Sequence, residues 1–172
     1  MKNITRILAA MAVVCLAVTV PVKADLASEQ AAFNSMMAQI QARDAAANAA
    51  HQALYDQQRI NNIVADAQNY SNYLYQVVVN DTETTRIKKE IVDNYTALSR
   101  VNPQFGALIA PATVDYNNAL AKQMADKAHA DKVKAFAYSD QVKIFADYAK
   151  DSYKGALYAG EFVENSLKAM GL

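Results

Sequence analysis

The apolar residues of this chain recur at helical spacing along most of its length after residue 25. They return every three or four positions, so one face of each predicted helix is apolar and the other is polar. Between Val22 and Asn102 there is neither glycine nor proline, so the backbone does not oppose a helix there. The early apolar faces comprise Leu26, Phe33, Met37 and Ile40, then Ile60, Ile63, Val64, Ala67, Tyr70, Leu74, Val77 and Val78.

A third apolar face lies in the last part of the chain, where Gly155 and Gly160 interrupt a composition that favours helix. Its alternating spacing of three and four residues is typical of a seam between packed helices. We expect kinks at Ser139-Asp140 and at Gly155. The face comprises Tyr138, Val142, Phe145, Ala149, Ser152, Ala156, Ala159, Val163, Leu167 and Met170.

Two stretches predict where helices end. The β-branched run 77–79 is followed by Asn80-Asp81-Thr82, whose side chains bond to nearby backbone, so we expect a break there. Residues 102–112 contain two prolines and a glycine and are expected to form a loop. We therefore predict an all-α fold in a single domain over 25–172. It would be an elongated antiparallel helical bundle or coiled-coil-like hairpin of three to four helices, near 25–79, 82–101, 113–153 and 154–170.

The first 24 residues have the three-part pattern of a removable export signal, or signal peptide. Lys2 and Arg6 give a basic start, an uncharged apolar run covers 7–20, and Ala24 is the small residue expected before a cleavage site. The run of about 14 residues is shorter than the roughly 20 that a membrane-crossing helix needs. The pattern predicts a periplasmic or secreted protein that begins near Asp25.

Loss of this signal changes the charge of the chain and removes its thiol. Its three basic residues reduce the 17 of the whole sequence to 14, against 17 acidic residues, so the formal charge becomes −3 instead of zero. This balance favours neither nucleic acid nor an anionic membrane surface. Val14 precedes Cys15, the single cysteine, where a lipoprotein signal would place a small residue, so we expect no lipid anchor. The exported chain would have no disulfide or thiol chemistry.

Residues suited to catalysis or metal binding are few. Asp126 precedes His129 by one helical turn, but a di-metal site in a helical bundle needs two such pairs and further glutamates, and His51 is the other histidine. A haem site with Met36 or Met37 and His129 as axial ligands is an alternative, although methionine at helical spacing is ordinarily core. The sequence has no serine-hydrolase, phosphate-loop or zinc-protease motif. We predict no enzyme activity, no cofactor, no metal and no small-molecule substrate.

The first candidate interaction surface is a cluster of Tyr70, Tyr73 and Tyr75, in a chain with ten tyrosines. No basic residue lies between Arg59 and Arg86, so stacking on nucleic acid is not expected. Tyrosine buries area while keeping a polar tip, so these rings either pack the helices together or contact a protein partner.

The second candidate surface is the apolar segment 105–111, which includes Phe105, Leu108 and Ile109. If exposed, it would form a tip able to contact a membrane or a partner's pocket. If covered, it would close the end of the bundle.

These features predict a non-catalytic exported helical protein that mediates protein–protein interaction, with a protein partner or with itself. In architecture alone, the chain is similar to the small exported helical subunits of type IV secretion and conjugation systems, which points to an envelope or secretion assembly. The first alternative is a membrane-acting helical effector that uses segment 105–111. The second is a periplasmic haem or metal carrier.

Overall fold

The computed structural model describes residues 26–172, with side chains from residue 28 onward. The predicted export signal therefore lies outside the described residues. All regular structure in the described part of the chain is helical, which confirms the all-α class. The elements are α1 (Leu26–Ser99), a 3-10 turn (Pro103–Phe105), α2 (Gly106–Ala137), α3 (Gln141–Ala149), a second 3-10 turn (Ala156–Tyr158) and α4 (Ala159–Ala169).

The chain divides into two units, residues 1–51 and 52–172, and each is described by itself. The described part of the first unit is the beginning of α1, in which every side chain from residue 28 to residue 51 is exposed. The second unit contains the rest of α1 and all the later elements. The single-domain assignment stays a prediction.

Helix α1 continues through residues 80–82, so the predicted break there is wrong. The hydroxyl of Thr82 donates to the carbonyl of Val78 at 2.8 Å, and that of Thr85 donates to the carbonyl of Asp81 at 2.8 Å. Side chains that were expected to divert the backbone instead bond to the preceding helical turn. Val78 and Thr85 are also buried, so packing favours the helix over the local alternative.

The predicted loop 102–112 is shorter than expected, because α2 begins at Gly106. The backbone N–H of Gln104 donates to Asn102 Oδ1 at 3.1 Å and stabilises the 3-10 turn, which Pro103 begins. Pro111 lies inside α2. Its missing N–H leaves a carbonyl one turn earlier without a helical donor, but that turn is exposed and solvent can bond to the carbonyl.

Within the second unit, α1 and α2 run in opposite directions along their contact. Lys122 of α2 lies 2.7 Å from Asp81 of α1, and Asp115, earlier in α2, lies 3.6 Å from Lys88, later in α1. The residue numbers of the contacting partners thus increase along α1 as they decrease along α2, which is the pattern of antiparallel helices. A bundle or coiled-coil arrangement of the whole chain stays a prediction.

The last part of the chain consists of three helices instead of the predicted two. The predicted boundary near residue 153 falls in the break between α3 and α4, and a further break lies at residues 138–140. The hydroxyl of Ser139 donates to the carbonyl of Phe136 at 2.8 Å at the end of α2. Gly155 has φ 106°, a conformation that glycine adopts without a steric penalty, and it precedes the second 3-10 turn. Both expected kink positions therefore coincide with helix ends.

The core of the second unit lies where α1, the end of α2, α3 and α4 meet. Phe136 of α2 is the largest side chain in it, and small residues such as Ala67 and Ala137 allow the helices to approach closely. The buried cluster comprises Ala67, Val133, Phe136, Ala137, Val142, Val163 and Leu167, with Val64, Tyr70, Leu74, Phe145, Phe162 and Met170 packed against it.

Candidate functional site

An aromatic groove of about 340 Å³ lies between α3 and α4. Its ring-bearing residues come from α3, from the segment after α3, from the second 3-10 turn and from α4. Polar side chains, including Glu161 and Asn165, lie among them. The rings belong to Phe145, Tyr148, Tyr153, Tyr158 and Phe162.

The inner rings of the aromatic groove pack against the core. Phe136 makes an edge contact with Phe145, with 5.8 Å between ring centroids and 74° between planes. Phe162 lies 6.2 Å from Phe136 and makes a second edge contact, at 6.0 Å and 79°, with Tyr153. Edge-to-face contacts of this kind stabilise a defined ring geometry. The inner surface of the groove is therefore held in place before any partner binds.

The segment that crosses from α3 to α4 is attached to α1 by two polar contacts. The hydroxyl of Tyr153 donates to Asp66 Oδ2 at 2.9 Å, and Arg59 forms an ion pair with Asp151 at 2.9 Å. Burial of the phenol and the hydrogen bond to the carboxylate both raise the pKa of Tyr153, so its hydroxyl stays protonated and remains a donor. These contacts hold the tyrosine ring at the edge of the aromatic groove.

The outer rim of the aromatic groove is exposed. Tyr148 is 85% exposed, and Lys154 Nζ lies 5.3 Å from the ring centroid of Tyr158. Leu157, beside Tyr158 in the 3-10 turn, is exposed as well. Apolar rings with polar edges around a packed inner surface match the composition of protein-binding sites, in which tyrosine contributes area and a hydrogen-bonding tip.

The three tyrosines of the predicted cluster do not share one surface. Tyr70 is half-buried, and its hydroxyl lies 3.5 Å from Glu164 Oε1 as donor. Tyr73 is 62% exposed and stacks on Tyr70, with 6.4 Å between centroids. Tyr75 is on another face, because five residues along a helix turn it by roughly 140° from Tyr70. Its hydroxyl donates to Asp131 of α2, which raises the pKa of this phenol.

Two of these tyrosines therefore contribute to helix packing, as one reading of the sequence expected. Tyr73 is the member of the cluster available to a partner, and a role for it in an interface stays a prediction.

The predicted apolar tip lies at the junction of the first 3-10 turn and α2. Phe105 and Ile109 are half-buried, whereas Leu108 is 43% exposed. Val101, just before the turn, is 86% exposed. Segment 105–111 is thus partly covered and partly exposed. The exposed large apolar side chains near the turn are Leu108, within the segment, and Val101, before it. A cleft of about 320 Å³ adjoins it, lined by Lys88, Ile91, Tyr95, Leu108, Pro111, Ala112 and Asp115.

His129 and Asp126 each have a polar partner in the folded chain. His129 Nε2 lies 3.0 Å from Glu164 Oε1, so one ring nitrogen already has a partner. Asp126 accepts from Lys122 at 2.8 Å, and this contact lowers the pKa of the carboxyl. Met36 and Met37 are exposed in the first unit. In the part of the chain that the structure describes, no three metal-binding side chains lie together.

The sequence did not predict the aromatic groove as a site, because its residues belong to different elements and follow no single helical spacing. Tyr148, Tyr153 and Tyr158 are visible as tyrosines in the last arm, but a straight helix would spread them along its length. The breaks after α3 bring them together with Phe145 and Phe162. The kink predicted at Gly155 was the sequence signal for this turn, but it did not indicate which rings the turn brings together.

Comparison with models of known protein families, with curated proteins and with solved structures found no match. Of the helices that the structure describes, none has both the length and the apolar character needed to cross a membrane.

Proposed function

We propose that this chain is a non-catalytic exported protein whose helices form an elongated antiparallel bundle and whose aromatic groove binds a protein partner. The observation that carries the proposal is the combination of inner rings held by core contacts with an exposed rim of tyrosines. Phe162 is held on two sides by other rings, while Tyr148 is almost entirely in solvent. Pre-organised aromatic residues are the groups that contribute most to binding energy at protein interfaces.

The groove favours a partner segment that presents one large apolar side chain. The inner rings offer apolar area, and the polar groups of Lys154 and Glu161 beside them can bond to the backbone or charged groups that flank such a side chain. A volume of about 340 Å³ accommodates a side chain rather than a folded element. We infer that the partner inserts a short segment of this kind and covers the exposed tyrosines around it.

The cellular setting of the proposal comes from the sequence. The predicted export signal supports a periplasmic or secreted location, and the absence of recognised catalytic motifs supports a role in binding. An envelope or secretion assembly is the setting that we propose for the partner.

Site-specific photocrosslinking in the native host tests the groove. A photoreactive phenylalanine analogue replaces Tyr148 in one variant and Tyr73 in a matched control, since both are exposed tyrosines. We expect a defined protein adduct at position 148 and none at position 73. Adducts at position 73 alone would assign the interface to the predicted tyrosine cluster, and adducts at neither position would contradict a protein partner at both surfaces.

A second function, membrane contact, is favoured by one observation at the apolar tip. Val101 precedes and Leu108 follows the 3-10 turn that joins α1 and α2, and both side chains are exposed. Such a tip can enter the interfacial layer of a bilayer without crossing it.

Flotation with vesicles of phosphatidylcholine and phosphatidylglycerol tests the membrane function. If the tip binds membrane, the wild-type protein floats and the Val101→Asp/Leu108→Asp variant sinks. The matched control is Leu157→Asp, which changes an exposed leucine of the second 3-10 turn and should still float. Wild-type protein that stays at the bottom of the gradient while the vesicles float would contradict this function.

A further inference from the structure

The described part of the first unit carries an exposed apolar face. Phe33, Met36, Met37 and Ile40 recur at helical spacing in the described part of the unit, and all four are exposed. A helix with such a face is normally stabilised by burying it against another surface. We call these four residues the N-terminal apolar face. A patch of this kind indicates an interaction surface.

Opposite charges lie at the two ends of the N-terminal apolar face. Glu29 precedes it and Arg43 follows it, and both side chains are exposed. They are 14 residues apart, which is close to four helical turns, so both project from the same side of α1 as Met36, midway between them. From one end to the other, the surface is acidic, then apolar, then basic, over about 21 Å.

This order of charges is complementary to itself in one orientation. When two copies meet along this face in antiparallel directions, centred near Met36, Glu29 of each copy lies beside Arg43 of the other. When they meet in parallel and in register, like charges meet at both ends, which is unfavourable.

The remaining charged groups of the described segment 28–51 do not oppose the antiparallel arrangement. They are Asp44 and His51. In the antiparallel register centred near Met36, Asp44 lies beside Ser28 of the other copy, which is uncharged, and His51 lies beyond the paired region.

We propose that two copies of this chain associate through the N-terminal apolar face as an antiparallel helix pair, with two Glu29–Arg43 ion pairs at its ends. This interface is separate from the aromatic groove. The two surfaces share no residue, so the two proposals can fail independently.

Charge-reversal variants test both the association and the relative direction of the two helices. Sedimentation equilibrium measures the dimer dissociation constant of protein purified from cells that express the whole chain. Glu29→Lys places two like-charged pairs in the antiparallel dimer, and we expect it to weaken association by roughly tenfold or more. Arg43→Glu should do the same. The double exchange Glu29→Lys/Arg43→Glu restores opposite pairs and should restore the wild-type constant.

Failure of the double exchange to restore association would overturn the antiparallel pairing, and so would a wild-type protein that is monomeric at every concentration. Unchanged association in both single variants would also contradict the antiparallel pairing. In a parallel pair each position meets the same position of the other copy, so reversing one charge replaces one contact between like charges with another.

A matched pair of aspartate substitutions tests the face itself. Ile40→Asp introduces a charge into the N-terminal apolar face and should abolish the dimer. Ala45→Asp introduces the same charge on the opposite side of the helix, where position 45 lies about 140° from position 40, and should leave association unchanged. Equal losses from both substitutions would contradict the proposed face. Circular dichroism of each variant verifies that the helices are retained, and Tyr148→Ala should leave the dimer intact.

Discussion

Replacing Phe136 with alanine would remove the ring that joins both sides of the aromatic groove to the core. Phe136 is 2% exposed, and its ring centroid lies 5.8 Å from that of Phe145 and 6.2 Å from that of Phe162. The substitution leaves a cavity where α2, α3 and α4 meet, since each of these helices contributes one of the three rings.

The expected cost follows from the burial of the ring. Truncation of a buried phenylalanine to alanine costs about 3–5 kcal/mol, which includes the lost transfer energy and the cavity. Total stabilities of domains are about 5–15 kcal/mol, so the substitution should remove a large share. Phe136→Leu keeps more of the volume and should cost about 1.5 kcal/mol.

Urea unfolding measures this loss. The chain has no tryptophan, so near-ultraviolet circular dichroism of the tyrosines reports packing and the far-ultraviolet signal reports helix. Tyr148→Ala is the matched control, because its ring is exposed, and it should change the free energy of unfolding by no more than about 0.5 kcal/mol. A loss below about 1 kcal/mol for Phe136→Ala would refute the packing described above.

Three further outcomes are expected from polar contacts. Tyr153→Phe removes the hydrogen bond to Asp66 and should lower the free energy of unfolding by about 1 kcal/mol, whereas Tyr73→Phe, in an exposed ring, should not change it. Because the folded pKa of Tyr153 is raised above its usual 10.0, the folded chain keeps a proton that the unfolded chain loses, so stability should be level below about pH 10 and fall above it. Urea titrations across that range should show a smaller fall in Tyr153→Phe, and stability that rises with alkali would contradict the assignment. Lys89→Ala breaks an ion pair with Asp93 in which both side chains are exposed, and it should not measurably lower the free energy of unfolding, while a clear loss would show that the pair is stronger than its exposure indicates.

The helical class and several breaks could be predicted from local sequence. The long stretch without glycine or proline predicted that the residues of α1 are helical, and Gly155 and Ser139-Asp140 marked positions where helices end. The break predicted at residues 80–82 was wrong because a β-branched run and local hydrogen-bonding side chains are only a weak bias. Val78 and Thr85 are buried in the folded chain, and that packing outweighs the bias.

The candidate site could be predicted less well. The sequence identified tyrosine as the residue suited to an interface, but the cluster at 70–75 distributes its rings over different sides of α1. The rings that converge are Phe145, Tyr148 and Phe162, with Tyr153 and Tyr158 between them. Their convergence requires the chain to turn between α3 and α4, and no spacing within a single helix contains that information.

The sequence alone determined the helical class and which faces of the helices are apolar, because backbone propensity and periodicity act over a few neighbouring residues. It also determined the acidic-apolar-basic order around Met36, since residues 14 apart on a helix share a face. The tertiary structure alone decided which tyrosines are buried, which remain in solvent, and which five rings form one groove. Those outcomes depend on contacts between residues distant in the chain, such as Asp66 with Tyr153, whose energies have no local signature.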